Sequence, residues 1–514
     1  MNVDWACQAP WLDVEVSTKE YMPTLLYDVC MLKSAVLPVL AISIVLTSGA
    51  KAAGPVVTGP VTATAPVGDP SHQYPFYAAL EDLKGRGYVE QEYFISGTAN
   101  RYNTPDGATG SVIDGDHKYK TRVVVRRPAS AKFNGTVIVE WNNVTAGHDL
   151  DIDWFQAHDY FVRGGYAYIG VSAQRIGIEA LKVWNKDRYG SLDVTADGTI
   201  ANDALSYDIF ADVANAVRKP GSVDLLGGLK AQRVFATGHS QSAGRLAIYL
   251  NSVHPLSPVF DAIVVHGGGG KIRTDQPVKI WKLLSETDVI NNQAANRQPD
   301  TNTFRSWEVA GDSHVDTQFS ASSGALGRRD GNPAAPGFSP GLGGGRGVAA
   351  STAAAPAPPA RPMAAGASPC VDPPYSHVPF YQVMDAAIDH LQAWVKDGTL
   401  PPSAPPIEVT SAGPPAEIAR DKNGNSLSGG IRLAEIAVPT GVNTGKNSGA
   451  GFCRLYGSHL DFDPATVNSL YPTHAAYVAA VKDVTEKNLK SGYILRPEAD
   501  ATIAAAEKST IGQR

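Results

Sequence analysis

The sequence carries no surplus of positive charge. Lys and Arg number 44 against 50 Asp and Glu, a formal net charge of -6. No basic stripe runs along it, so the footprint of a phosphate backbone is missing and nucleic acid is excluded as the expected partner. Long apolar runs are missing too. The run near the N-terminus, Ala35 to Leu46, falls short of the about 20 residues a membrane helix needs. Cysteine is scarce, with four in 514 residues. None stands in a C-x-x-C pair or beside a histidine pair, which argues against a zinc site. No internal repeat is visible, so a solenoid or propeller is not expected.

What is present begins with an export pattern. "MLKSAVLPVLAISIVLTSGAKA" starts at Met31, has Lys33, passes through the apolar run and closes on "AKA" at Ala52. Charged, apolar, then small is the layout of a secretory signal peptide; a membrane anchor is the alternative. Residues 1–30 suit no signal peptide and read as an over-extended start. Residues 31–52 read as the signal and 53–74 as an exposed Pro/Thr/Ala-rich lead-in. The mature chain is expected to begin near Ala53, to be secreted or periplasmic, and to keep no stable membrane anchor. Of the cysteines it retains Cys370 and Cys453, and two cysteines in an exported chain most simply form one disulfide.

Hydrophobic residues make up 43% of the chain, enough for a large packed core. From about Pro75 onward short β-branched runs alternate with helical patterns. "YKTRVVVRRP", "GTVIVEWNN", "YAYIGVSAQ", "RVFATG", "FDAIVVHGG", "KIWKLLSETD" and "TFRSWEVAGDSH" read as strands. "IDWFQAHDYFVRGG", "SYDIFADVANAVRK", "AGRLAIYLNSV" and "YQVMDAAIDHLQAWVKDG" read as helices. Several strands are almost continuously apolar. This is the pattern of a mainly parallel sheet with helices on both faces. Residues 319–368 are Gly/Ala/Pro/Ser-rich and read as a disordered insertion that interrupts a single domain at 75–514. The tail after Pro401 is expected to pack on that domain as a C-terminal extension.

"RVFATGHSQSAG" runs from a strand through a tight turn into a helix, the setting of a nucleophile elbow. Ser240 and Ser242 both have small residues two places before and after. Position separates them: counted from Val234, Ser240 falls just beyond the strand and Ser242 in the first helical turn. Ser240 is therefore the expected nucleophile and Ser242 the alternative. Partners of such a serine follow in the order acid, then histidine. "IWKLLSETD" ends a strand with Glu286 and Asp288, and "WEVAGDSH" ends the next with His314. Asp288 lies deeper in its loop and is the preferred acid, with Glu286 as alternative. His314 is the expected base, with His377 as the outside candidate. His239 adjoins Ser240 and should point away, and His266 comes too early.

An oxyanion site is expected from the backbone N–H of Gln241 and that of Asn142 or Asn143 in the loop after "TVIVEW". "HGGGG" at His266–Gly270 follows the nucleophile strand, so it reads as a tight loop. Two acidic stretches, "DLDID" at Asp149–Asp153 and "DKNGNSLSGGIR" at Asp421–Arg432, lack the Gly and Glu of a calcium loop and read as turns. No metal or organic cofactor is called for. Trp184 and Tyr189, and part of the tail, are candidate pocket walls.

Taken in order, "GTVIVEWNNVTAG", "YAYIGVSAQRIGIEALKVWNKDRYGSL", "GHSQSAGRLAIYLNSVHP", "LLSETDV", "WEVAGDSHVD", "GGIRLAEIAVP" and "LYGSHLDFD" resemble a family of exported bacterial α/β-hydrolase domain proteins. The resemblance spans nearly the whole mature chain outside 319–368. It implies an α/β-hydrolase fold and a serine hydrolase, and it implies no particular substrate. "GHSQ" is also similar to the elbow of cutinases, which favours Ser240. The resulting expectation is a hydrolase of small-molecule carboxylic esters. A lactone or amide hydrolase or an acyltransferase with the same triad is the near alternative. A non-catalytic scaffold that binds a ligand is the distant one.

Overall fold

A computed structural model of the chain describes residues 54–130, 132–336, 338 and 369–513. The start and signal assigned to 1–52 lie outside the described residues, as do Cys7 and Cys30. Nine strands form one sheet: β1 (Val56–Thr58), β2 (Tyr88–Asn103), β3 (Ser111–Pro128), β4 (Thr136–Trp141), β5 (Ala167–Val171), β6 (Arg233–His239), β7 (Ala262–His266), β8 (Lys279–Ser285) and β9 (Phe304–Val309). Their spatial order is β1-β2-β3-β5-β4-β6-β7-β8-β9. From β5 to β9 every pairing is parallel. Every residue of β4, β5 and β7 is buried, because helices cover both faces of a parallel sheet and leave no wet side.

The long β2–β3 hairpin was not legible as a unit. It pairs Tyr88 with Pro128 at one end and Asn103 with Ser111 at the other. Its apolar alternation is broken by charges that are buried here. Glu92, fully enclosed, takes hydrogen bonds from Arg122 at 2.6 Å and Arg188 at 2.8 Å, and from the Tyr189 hydroxyl at 2.8 Å. Arg126 reaches Glu90 at 2.7 Å and also pairs with Asp151. Charges are tolerated in a core only when paired and hydrogen-bonded in this way.

Two readings of low-complexity sequence need correction. The lead-in at 53–74 is not simply exposed: β1 pairs along β2, Val57 is buried and Tyr74 is fully so. Pro, Thr, Ala and Gly make up most of it, yet a few apolar side chains and ladder hydrogen bonds suffice to dock it. The insertion at 319–368 is not disordered at its start. Residues Thr317–Asp330 form a helix capped by Asp316, whose side chain accepts from the Phe319 N–H. Phe319 and Leu326 are buried, and Asp330 accepts from the Tyr74 hydroxyl at 2.8 Å and the Tyr77 N–H at 3.0 Å. Three inward residues on one face anchor a helix whose composition reads as loop. Residue 337 and residues 339–368 lie outside the described residues.

The tail docks on the free edge of β9. Ala310 donates to the Ile431 carbonyl and Ile431 to that of Glu308, and the Trp307 indole donates to Pro402. Among the described residues no helix is long and apolar enough to cross a membrane. Cys370 and Cys453 form a disulfide across 83 residues. Closing a loop of that length restricts the unfolded chain and stabilises by about 4–5 kcal/mol in the chain-entropy treatment. Replacing both cysteines by serine is therefore expected to lower the urea midpoint by up to that equivalent. An unchanged midpoint would show that the bridge adds nothing to stability.

Candidate active site

Ser240 stands where β6 ends, with φ 61 and ψ -116. A side chain pays for positive φ with steric strain, and the surroundings hold this one in place. Its N–H donates to the His266 carbonyl at 2.9 Å, and its own carbonyl accepts from Gly244 at 3.0 Å. At Gly238 the space is tight, since a Cβ there would lie 3.3 Å from the Ser242 backbone. Ser242 fits the next turn because its buried hydroxyl donates to the His239 carbonyl at 2.8 Å. That bond removes Ser242 as a free hydroxyl.

His314 follows β9 and reaches both neighbours at once. Its Nε2 lies 2.7 Å from Ser240 Oγ, and its Nδ1 lies 2.7 Å from Asp288 Oδ1. The other carboxylate oxygen of Asp288 accepts from the Ser285 N–H at 2.8 Å and hydroxyl at 2.7 Å. Burial by itself would raise the Asp288 pKa. The adjoining His314 ring and the Ser285 donors outweigh it and hold the carboxyl below its ordinary value. Asp288 therefore stays ionised beside the imidazole. Glu286, two residues earlier, is turned elsewhere. It accepts from the N–H groups of Gly311 and Gly445 and from Thr444, and pairs with Arg420 at 2.6 Å. It fastens the loop that carries His314 to the C-terminal extension. His377 is remote from this cluster: it is exposed and its ring stacks on His459 at 3.7 Å.

Behind His314 sits a pair of imidazoles that sequence reasoning set aside. His239 packs against the His314 ring and against His266, each at 4.3 Å between centroids. Burial, with the two neighbouring imidazoles, pushes the His239 pKa well down, so the ring is neutral. His266 Nδ1 bonds Asp153 Oδ1 at 2.6 Å, and Thr237 donates to the other oxygen of that carboxylate. Asp153 thus has protein partners, as do Asp149, bonded by Ser172, and Asp151, bonded by Arg126. The "DLDID" stretch spends its carboxylates on the core. No signal in the sequence pairs Asp153 with His266; the contact exists only because parallel strands bring both loops to one edge.

The oxyanion assignment needs correction. The Asn142 N–H is committed to the Val171 carbonyl at 3.2 Å and the Asn143 N–H to Leu150 at 2.9 Å. A loop that continues the pairing of β4 leaves neither free. The Asn143 side chain instead donates to the His239 carbonyl at 2.9 Å. Among the described residues the N–H groups of Val144 and Ala146 meet no acceptor, and Gln241 opens its helix, where first-turn N–H groups have no intrahelical partner.

Ser240 and His314 open onto a cavity of about 400 Å³. Tyr77, Asn143, Ala146, His148 and Ile152 line one side, Phe319, Ser320 and Ser323 another, and Tyr375, Phe452, Leu455 and Tyr456 a third. The last three come from the tail, as expected, and Tyr375 from the segment that resumes at Pro369. Trp184 and Tyr189 do not line it. Trp184 donates to the Asp330 carbonyl at 2.8 Å and stacks on His72, and Tyr189 is sealed in the core on Glu92. Their rings fill space beneath the β2–β3 hairpin.

The family described as "Alpha/beta hydrolase domain" matches residues 57–504. No curated protein matches the chain. Among solved structures, the chain is similar to a glucuronoyl esterase from Solibacter usitatus at 11% identity, over 47% of this chain and 82% of that one, with a TM-score of 0.24. A glucuronoyl esterase from Teredinibacter turnerae matches at 12% identity over 35% and 42%, TM-score 0.21. Acetyl xylan esterase 1 from Thermoanaerobacterium sp. matches at 13% over 34% and 47%, TM-score 0.19. The chain spans less than half the length of the last two.

Gly267, at φ 68, faces this cluster. A Cβ there would come within 2.9 Å of the His239 ring and 3.2 Å of His314 Cε1. Gly267→Ala is thus expected to shift both rings and cut turnover about 10²-fold, the cost of a misplacement near 1 Å. Near-normal turnover in a folded variant would mean that the histidine column has slack.

Proposed function

Because the chain belongs to the alpha/beta hydrolase domain family, we propose that it cleaves carboxylic esters through Ser240, His314 and Asp288. The observation that carries this reading is the unbroken chain of 2.7 Å contacts from Ser240 Oγ to His314 to Asp288. As Ser240 attacks the ester carbonyl, His314 Nε2 takes the hydroxyl proton. Asp288 keeps the imidazole in the right tautomer and steadies its cationic form. The negative charge that develops on the carbonyl oxygen is met by the Gln241 N–H and by a free N–H of the 144–146 segment. His314 then passes its proton to the departing alkoxide, and an acyl-Ser240 ester remains. Water then attacks the acyl carbon as His314 takes its proton, and His314 returns that proton to Ser240 Oγ as the acid leaves. No step calls for a metal or an organic cofactor.

Export is part of the same proposal. It rests on the residue pattern at 31–52, and the Cys370–Cys453 disulfide suits an oxidising compartment.

A fluorophosphonate probe is expected to label Ser240, with the adduct located by peptide mass mapping. Labelling should vanish in Ser240→Ala and persist in Ser242→Ala. Asp288→Asn should lower p-nitrophenyl ester turnover by up to about 10⁴-fold, since the amide favours the wrong imidazole tautomer. An adduct elsewhere, or a mild Asp288→Asn, would overturn the assignment.

A further inference from the structure

The cavity at Ser240 has an unusual charge inventory. Among the described residues no Lys, Arg, Asp or Glu lines it, and the titratable nitrogen bases are His148, His239 and His314. His148 is buried, and desolvation pushes its pKa down to about 4 against the pull of the Pro333 carbonyl. A carboxylate or ammonium on a ligand would lose its water here and gain no counter-charge, a cost of several kcal/mol per ion. The cavity is built for uncharged ligands.

It is also strained in a specific place. Eight non-glycine residues have positive φ among the described residues, and three of them line this one cavity: Ser240, Tyr77 at φ 53 and Tyr375 at φ 77. Such conformations cost of order 1–3 kcal/mol and cluster where a side chain must be aimed. Tyr77 is clamped on both sides, its N–H on Asp330 at 3.0 Å and its carbonyl on Arg126 at 3.2 Å. What the clamp aims is the phenol. Its oxygen lies 3.0 Å from His148 Nε2 and 3.0 Å from Asn332 Oδ1.

A phenol has one proton for those two acceptors. If it goes to Asn332, the His148 Nε2–H donates back to the phenol and the bare, buried Nδ1 is left facing the Pro333 carbonyl, acceptor against acceptor. If it goes to Nε2, the Asn332 carbonyl lacks a donor. The second arrangement lets Nδ1–H donate to Pro333, and it leaves the Asn332 carbonyl open to a donor in the cavity while the Asn332 amide has N–H groups to give. A hydroxyl both donates and accepts, so it complements this end of the cavity. Phe319, Phe452 and the Tyr375–Tyr456 pair, with ring centroids 4.9 Å apart, supply flat apolar walls suited to a ring.

Given Ser240 as nucleophile, we propose that this cavity selects uncharged esters whose planar ring carries a hydroxyl, with Tyr77, His148 and Asn332 binding that hydroxyl. The ring can belong to the acid or to the alcohol part, and the two arms below separate these.

The test compares kcat/KM for methyl 4-hydroxybenzoate, 4-hydroxyphenylacetate and 3-(4-hydroxyphenyl)propanoate with their deoxy and 4-carboxy counterparts. A second arm compares 4-hydroxyphenyl acetate with phenyl acetate. At the chain length that fits, the hydroxyl should raise kcat/KM about tenfold over hydrogen, because Tyr77 and Asn332 gain a hydrogen-bond partner that the analogue lacks. The carboxylate should lower it below hydrogen. Tyr77→Phe, which removes one oxygen and keeps the ring, should bring the hydroxyl-to-hydrogen ratio toward one, and Asn332→Ala, at an exposed residue, should reduce it. A ratio near one at every length in both arms, a ratio untouched by Tyr77→Phe, or equal hydrolysis of the 4-carboxy esters would overturn the proposal. Loss of fluorophosphonate labelling and of p-nitrophenyl acetate turnover in the unaltered protein would instead sink the esterase reading itself.

Discussion

The backbone of Ser240 is held at φ 61 and ψ -116, a conformation that costs free energy wherever it occurs. The rest of the site depends on that constraint. With relaxed backbone the chain would run on from β6 into its helix and bury the hydroxyl, as happens to Ser242 one turn later. Held in the turn, the hydroxyl stands clear at the C-terminal edge of the sheet. The means of holding it are ordinary: one hydrogen bond to the last residue of β7, one from Gly244, and a glycine at 238 where a side chain would press on the next turn. Parallel register then delivers the partners. β7 separates β6 from β8, and the ends of β6, β8 and β9 open to the same side. The loops after them therefore converge, and His314 can touch Ser240 and Asp288 together.

Convergence alone would not fix the histidine. Its loop is tied down by Glu286, which collects hydrogen bonds from Gly311 on one side and from Gly445 and Arg420 of the extension on the other. Behind the ring, neutral His239 and the Asp153-bound His266 pack in a column, and Gly267 lies so close that a Cβ would meet the His239 and His314 rings. The two acids of "SETD" thus divide the labour. Asp288 meets the imidazole, and Glu286 anchors the loop that presents it.

How far this could be read in advance depends on whether a feature is local. The elbow is a strand, a turn and a helix within twelve residues, and the acid and histidine fall at ends of apolar runs, so Ser240, Asp288 and His314 stand out in one dimension. The parallel sheet is legible for the same reason, since fully buried strands leave continuous apolar runs. Of the β2–β3 hairpin only the "YKTRVVVRRP" end of β3 is, because Glu90 and Glu92 interrupt β2 and find their arginine partners only in the folded core. Trp184 and Tyr189 look like pocket aromatics in sequence, but their polar tips are satisfied by Asp330 and Glu92, far along the chain. The Asn142 and Asn143 N–H groups are consumed by pairings with Val171 and Leu150 that no short motif encodes. The helix at Thr317–Asp330 was hidden by composition. Its small residues are what let it lie close beside the cavity, and one buried aspartate does the work of several apolar anchors.

The C-terminal extension has a part that its weak periodicity conceals. It supplies a wall of the cavity, and it does so from a segment with little core of its own. The helix Cys453–Tyr456 is a single turn, too short to persist alone. Three ties compensate. Cys453 is bonded to Cys370, the Leu455 carbonyl accepts from Val315 next to His314, and the Tyr456 carbonyl accepts from Tyr375. The first tie fixes where the turn sits, the second couples it to the loop of the general base, and the third sets the facing tyrosine rings. Because these ties use backbone and sulfur, Phe452, Leu455 and Tyr456 need not hold the segment together. Their side chains are free to be chosen by the ligand they face, so substitutions there can retune what the cavity accepts without disturbing the residues that do the chemistry.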